Sequence, residues 1–183
     1  MVKIEALPDL SEESIDENAA NEIIAIYDSS KDMYVRNLCI KLLYRKTFAS
    51  LETFFERAFK RERYLDMKIH CIRGLSQFWT EAKLKPLLKK IDDSLIKRAK
   101  TTPYNYQEYE LLLGKNALPF LISKYGYESF KKTYSLVKSN YDAMPEAFKG
   151  HFSVGDDGKL IQLKTPEESK KCFDDFFKHN EQK

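Results

Sequence analysis

VRNLCIKLL at residues 35–43 returns as MKIHCIRGL at residues 67–75, an offset of 32 residues. Val35 and Met67, Arg36 and Lys68, Cys39 and Cys71, Ile40 and Ile72, Lys41 and Arg73, and Leu43 and Leu75 fall at matching positions. Within each copy the apolar residues recur at helical spacing, so each segment predicts one amphipathic helix. A helix pair repeated in this way leaves an apolar face open until its neighbour covers it. The stretch therefore predicts an all-α fold, a helical solenoid of about four helix hairpins.

Working outward, residues 1–14 read as a lead-in, with Pro8 opposing a helix. Ser11 or Ser14, the latter in a capping box with Glu17, caps a first helix that carries Ala20, Ile23, Ile24 and Tyr27. Ser30 or Asp32 caps the next helix, which includes the first repeat copy. Ser50 starts a third with Leu51, Phe54, Phe55, Ala58 and Phe59 inward, and the second copy lies on a fourth from about Tyr64 to Trp79. LKPLLKKIDDSLIKRAK predicts a further helix with Pro86 in its first turn, where a missing N–H costs little. After the break at Thr101, Thr102 and Pro103, a short helix ends at Gly114. ALPFLISKYG and a helix from Tyr127 to Tyr141 then complete the hairpins over residues 15–143. Residues 144–183 differ: HFSVGDDGKLIQLK predicts a β-hairpin turning at Gly155, Asp156, Asp157 and Gly158. Thr165, Pro166 and Glu168 start a last helix, whose Phe173, Phe176 and Phe177 are expected to dock as an end cap.

The length of 183 residues and a hydrophobic share of 43% suit one domain spanning 1–183. No apolar run reaches the roughly 18–20 residues of a membrane span, and the acidic start does not read as a signal peptide, so a cytoplasmic chain is expected. Cys39, Cys71 and Cys172 are widely spaced and read as reduced packing thiols. The formal charge of +3 conceals an asymmetry: −7 over residues 1–30, +10 over residues 31–100 and zero beyond, with every arginine in the middle block. Such a block suits either an anionic partner or internal charge pairing.

The residues also resemble a known family. DMYVR at 32–36 is similar to the second-helix signature of HEAT-like, armadillo-type helical repeats. LKPLLKKIDD at 84–93 is similar to their first-helix signature, and ALPFL at 117–121 is a weaker echo. The resemblance implies a right-handed stack whose second helices line a concave face, with Arg36 held by an aspartate of a neighbouring turn. Asp32, Arg36 and Lys68 are accordingly expected in structural ion pairs.

No constellation for catalysis is legible. His70, His151 and His179 are scattered, and no metal, phosphate-loop, dinucleotide or nucleophile motif is present, so neither an enzyme nor a cofactor is predicted. The surface signal is the basic middle block. Lys41 and Arg73 would align as a ridge on the concave face, beside Tyr44, Arg45, Gln77 and Trp79, with Tyr34 and Tyr64 nearby. Basic and aromatic surface suits phosphate contact and base stacking, and equally an acidic protein partner, where Arg, Tyr and Trp supply hot-spot contacts. The leading expectation is thus a non-enzymatic binding module, an adaptor or an immunity or regulatory protein, acting as a monomer or weak dimer. The alternative is a nucleic-acid-binding chain similar in fold to the HEAT-like DNA-alkylation-repair glycosylases.

Overall fold

Caps decide where the first helices begin. In the computed structural model, which describes residues 2–101, 106–114, 117–150, 152–154 and 160–180, Asp16 accepts a 2.8 Å hydrogen bond from Ala19 N and starts α1 (Glu17–Ser29). The Ser14 box is not used: Ser14 closes a short 3-10 turn capped by Ser11. Asp32 accepts from Tyr34 N and starts α2 (Met33–Leu43). The next two are α3 (Ser50–Arg61) and α4 (Leu65–Leu75). α3 begins at Ser50, as expected, with no side-chain hydrogen bond at its cap. Helices dominate the chain, and it divides into two compact units, Met1–Leu84 and Lys85–Lys183.

In the first unit α1 packs on α2, α3 on α4, and α2 on α4. The two copies of the repeat are therefore neighbours. Cys39 and Cys71 are both fully buried, and burial pushes the Cys39 thiol up to about 12, so it packs as a neutral group. α3 buries Leu51, Phe54, Phe55, Ala58 and Phe59 along one face. Each large member contributes roughly 1.5–3 kcal/mol of apolar transfer. Phe54 meets Tyr27 edge to face at 5.0 Å, so Phe54→Ala would remove both burial and an aromatic contact.

Helix α5 (Glu81–Thr101) opens before the leucine pattern suggested. Thr80 O accepts from Lys83 N and Leu84 N, which places Pro86 inside the helix and not in its first turn. Proline there cannot donate to the carbonyl of Ala82.

In the second unit α6 (Tyr106–Leu113) and α7 (Leu118–Tyr125) pack on α8 (Ser129–Asp142). Tyr109, Leu112, Leu118, Phe130, Val137 and Tyr141 form the centre of this core. Gly126 ends α7 at φ +66°, a left-handed position that favours glycine, and its N–H donates to Ile122 O. A 3-10 turn (Glu146–Phe148) follows Pro145. β1 (Phe152–Val154) pairs antiparallel with β2 (Leu160–Gln162), Ser153 opposite Ile161. The expected turn at Gly155–Asp156–Asp157–Gly158 lies outside the described residues, as do Thr102, Pro103 and His151.

The last helix, α9 (Pro166–Asn180), is started by the reciprocal Thr165–Glu168 box at 2.8 and 3.2 Å. Its phenylalanines pack on Phe148, yet none of its residues is buried. The helix thus docks only in part: Phe173 and Phe177 of the expected end cap remain more than two-fifths exposed.

Candidate interaction surface

Two arginines fasten the loops of the first unit together. Arg36 Nε donates to Glu62 Oε1 at 2.8 Å and its Nη1 to Lys31 O at 2.8 Å, so one guanidinium spans the α1–α2 and α3–α4 loops. Arg61 donates to the carbonyls of Tyr27 and Ser30 at 3.2 and 3.1 Å. Tyr27 OH adds a 2.7 Å bond to Glu62 Oε1. The Glu62 side chain is only 2% exposed. Burial opposes its ionisation, but the hydrogen bonds from Arg36 and Tyr27 outweigh that and hold its carboxyl below the usual range.

This corrects the expected ion-pair set. The partner of Arg36 is Glu62, 26 residues away, and not an aspartate. Asp32 caps α2, since the first N–H groups of a helix need an acceptor. Lys68 donates to Phe59 O at 2.7 Å and lies 4.3 Å from the Phe59 ring centroid.

Between α2 and α4 runs a polar seam. Asp66 accepts from Asn37 at 3.3 Å and pairs with Lys41 at 3.1 Å. His70 Nδ1 lies 2.8 Å from Asp66 O, and since a carbonyl only accepts, that nitrogen carries the proton. Burial lowers the pKa of His70, against the pull of Asp66, and the charges of Lys41 and Arg73 add to the lowering. Tyr44 meets His70 edge to face at 5.3 Å and is flanked by the guanidinium groups of Arg73 at 4.3 Å and Arg45 at 5.2 Å. Gln77 Nε2 donates to the carbonyls of Tyr44 and Lys46 at 2.6 and 3.1 Å, closing the end of α2.

Lys41, Tyr44, Arg45, Arg73 and Gln77 therefore lie together, as the repeat offset suggested. Trp79 lies apart from them: its indole donates to Glu52 at 2.6 Å, with Lys83 Nζ 4.0 Å from its ring. The expected ridge is altered as well. Lys41 keeps its side chain 42% exposed, but Arg73 is 3% exposed because its planar cation stacks on Tyr44.

What remains outward is the edge formed by the two fastened loops. Lys31, Met33, Tyr34, Arg63 and Tyr64 are exposed there, Tyr34 by 64% and Tyr64 by 56%. Lys31 and Arg63 make no ion pair among the described residues. Six of the seven arginines are engaged inside the protein: Arg36 with Glu62, Arg45 with Glu12, Arg57 with Asp28, Arg98 with Glu108, Arg61 on backbone carbonyls, and Arg73 at Tyr44. The arginines of the +10 block thus serve chiefly in internal contacts, and two of them, Arg45 and Arg57, pair with the acidic lead-in at Glu12 and Asp28. Sequence reasoning missed Glu62 and Asp66. The only signal for Glu62 is an acid set between Arg61 and Arg63 in a basic loop, where it must answer to a cation.

Among the described residues no group of three or more His, Cys, Asp or Glu side chains is placed to hold a metal ion, and no helix is long and apolar enough to cross a membrane. Comparison with family models, curated proteins and solved structures finds no match to this chain.

Proposed function

We propose that the chain is a non-enzymatic binding module, built as a right-handed solenoid of HEAT-like, armadillo-type hairpins, that holds a protein partner on its first unit. The adjacency of α2 and α4 at the 32-residue offset supports the repeat reading. The observation that carries the contact surface is the loop edge with Tyr34 and Tyr64 exposed between Lys31 and Arg63. The clasp beneath it limits the ordering cost of binding, and exposed tyrosines bring large contact area with few rotatable bonds. An adaptor, immunity or regulatory role fits such a surface.

Charge favours protein over nucleic acid. Duplex binding of ordinary strength draws on roughly 6–10 phosphate contacts, whereas the edge offers Lys31 and Arg63, with Lys41 further along α2.

The test compares proteins retained by the wild type and by Tyr34→Ser/Tyr64→Ser, two exposed substitutions that leave the core intact. A partner retained saturably by the wild type and lost by the double variant is the expected result; equal retention removes the edge from the reading. Labelled duplex at two salt concentrations is the control. Tight binding that weakens steeply with salt transfers the surface to nucleic acid.

A further inference from the structure

Helix α9 carries three phenylalanines but has no buried residue. Phe148 lies 4.8 Å from Phe176, 5.6 Å from Phe173 and 6.3 Å from Phe177, and is itself 4% exposed. Among the described residues it is the one ring outside α9 that meets all three. Phe173 stays 44% and Phe177 43% exposed. Two half-exposed rings 4.7 Å apart on one helix face form an apolar patch that water covers poorly.

The charges beside this face have a regular order. Glu167, Lys170, Asp174 and Lys178 follow one another at spacings of three and four, which sets them in a row along one flank of the Phe173–Phe177 stripe. All are exposed. Their signs alternate, so the row read backwards has the opposite sign at every position. A two-fold axis brings a patch against itself reversed, and an alternating row of even length is self-complementary under that operation.

We propose that α9 is a self-association surface, pairing antiparallel with α9 of a second copy about a two-fold axis beside Phe173. Lys170 then faces the partner's Asp174, and Glu167 faces the partner's Lys178, each pair occurring twice. Phe173 of the two copies meet at the centre, and each Phe177 lies about one turn further out, against the other copy's helix. A lipid surface fits less well, because the flank carries as many acids as lysines, whereas interfacial helices bear a basic polar face.

The full chain is followed by sedimentation from low micromolar to several hundred micromolar. Concentration-dependent dimer is expected for the wild type. Lys170→Glu opposes two acids across the axis and Asp174→Lys opposes two lysines, so each alone weakens the dimer by about tenfold or more. An equimolar mixture of these two variants restores wild-type association, because Glu at 170 of one copy now faces Lys at 174 of the other. Pairing within one helix cannot give that recovery, and both positions are exposed, so folding is retained. A wild type that stays monomeric throughout, or a mixture that associates no better than its components, overturns the proposal.

Discussion

Arg36 and Glu62 join the two inter-helix loops of the first unit through a 2.8 Å bond, with their side chains 14% and 2% exposed. The pair holds the exposed edge in place, because Arg36 also binds Lys31 O while Glu62 receives Tyr27 OH. Removing the carboxylate leaves a largely buried cation and a buried hydroxyl without an acceptor. Glu62→Ala is expected to cost about 3 kcal/mol, at the lower end for breaking a buried pair because Arg36 retains some solvent. Denaturant unfolding measures it; a loss below about 1 kcal/mol would assign the clasp no structural weight.

The same carboxylate sets an acid limit. Its folded pKa lies below the usual value, so its stabilisation is present above the ordinary carboxylate range, about 4.3, and is lost as pH falls through the folded value. Asp66 acts in the same direction: burial opposes its ionisation, but Lys41, His70 and Asn37 hold it low. The melting temperature should therefore drop as pH falls below the ordinary carboxylate range, about 4.3. In Glu62→Ala that segment of the curve should be shallower, and an unchanged slope would contradict the assignment.

His70 works in a higher window. Its surroundings favour the neutral ring: burial first, then Lys41 and Arg73, against Asp66 and its carbonyl, with Tyr44 lying edge-on. The unfolded chain takes up the proton below about 6.5 more readily than the folded one, so stability declines as pH falls from about 7. His70→Gln should flatten the melting temperature just below about pH 7, keep the Glu62-dependent drop at lower pH, and shrink the share of that drop that Asp66 supplies. A wild type whose melting temperature is constant over that interval would show His70 to be free of this bias.

Gly74 sets two effects against each other. Replacing a helical glycine by alanine normally stabilises by about 1 kcal/mol. Here a Cβ would stand 2.5–2.6 Å from three ring atoms of Phe55, which is itself fully buried. Overpacking of that kind costs roughly 1–3 kcal/mol. Gly74→Ala is thus expected to destabilise on balance, and Phe55→Leu in the same chain to return part of the loss. If Gly74→Ala alone raises the melting temperature, the helices are less closely packed than the structure places them.

Backbone periodicity and the caps of α2 and α9 were legible in the sequence, whereas the cap of α1, where three nearby side chains compete, and the pairing of distant polar groups were not. The 32-residue offset predicted that Cys39 and Cys71 occupy matching buried positions, because a small apolar residue on the inner stripe of a helix has little alternative. Thr165 with Glu168 predicted the start of α9 for a similarly local reason. Arg73 misled because matching Lys41 in register says nothing of whether an aromatic ring lies within reach. That ring belongs to Tyr44, 29 residues away, and the repeat pattern does not include it. The α9 phenylalanines misled because a helical stripe fixes which face is apolar but not how much partner surface it meets.

The two members of the expected ridge should consequently respond differently to the same change. Lys41 is half-exposed and its pair with Asp66 is open to solvent, so Lys41→Glu replaces a weak attraction by a weak repulsion, on the order of 1 kcal/mol or less. Arg73 is 3% exposed and stacked on Tyr44, so Arg73→Glu places a carboxylate where a planar cation packs, at a cost of about 3 kcal/mol or more. Arg73→Met, which keeps much of the volume and drops the charge, should be milder than Arg73→Glu. Parallel urea titrations of the three variants decide the matter. Equal losses for Lys41→Glu and Arg73→Glu would return Arg73 to the surface, where the repeat offset alone had put it.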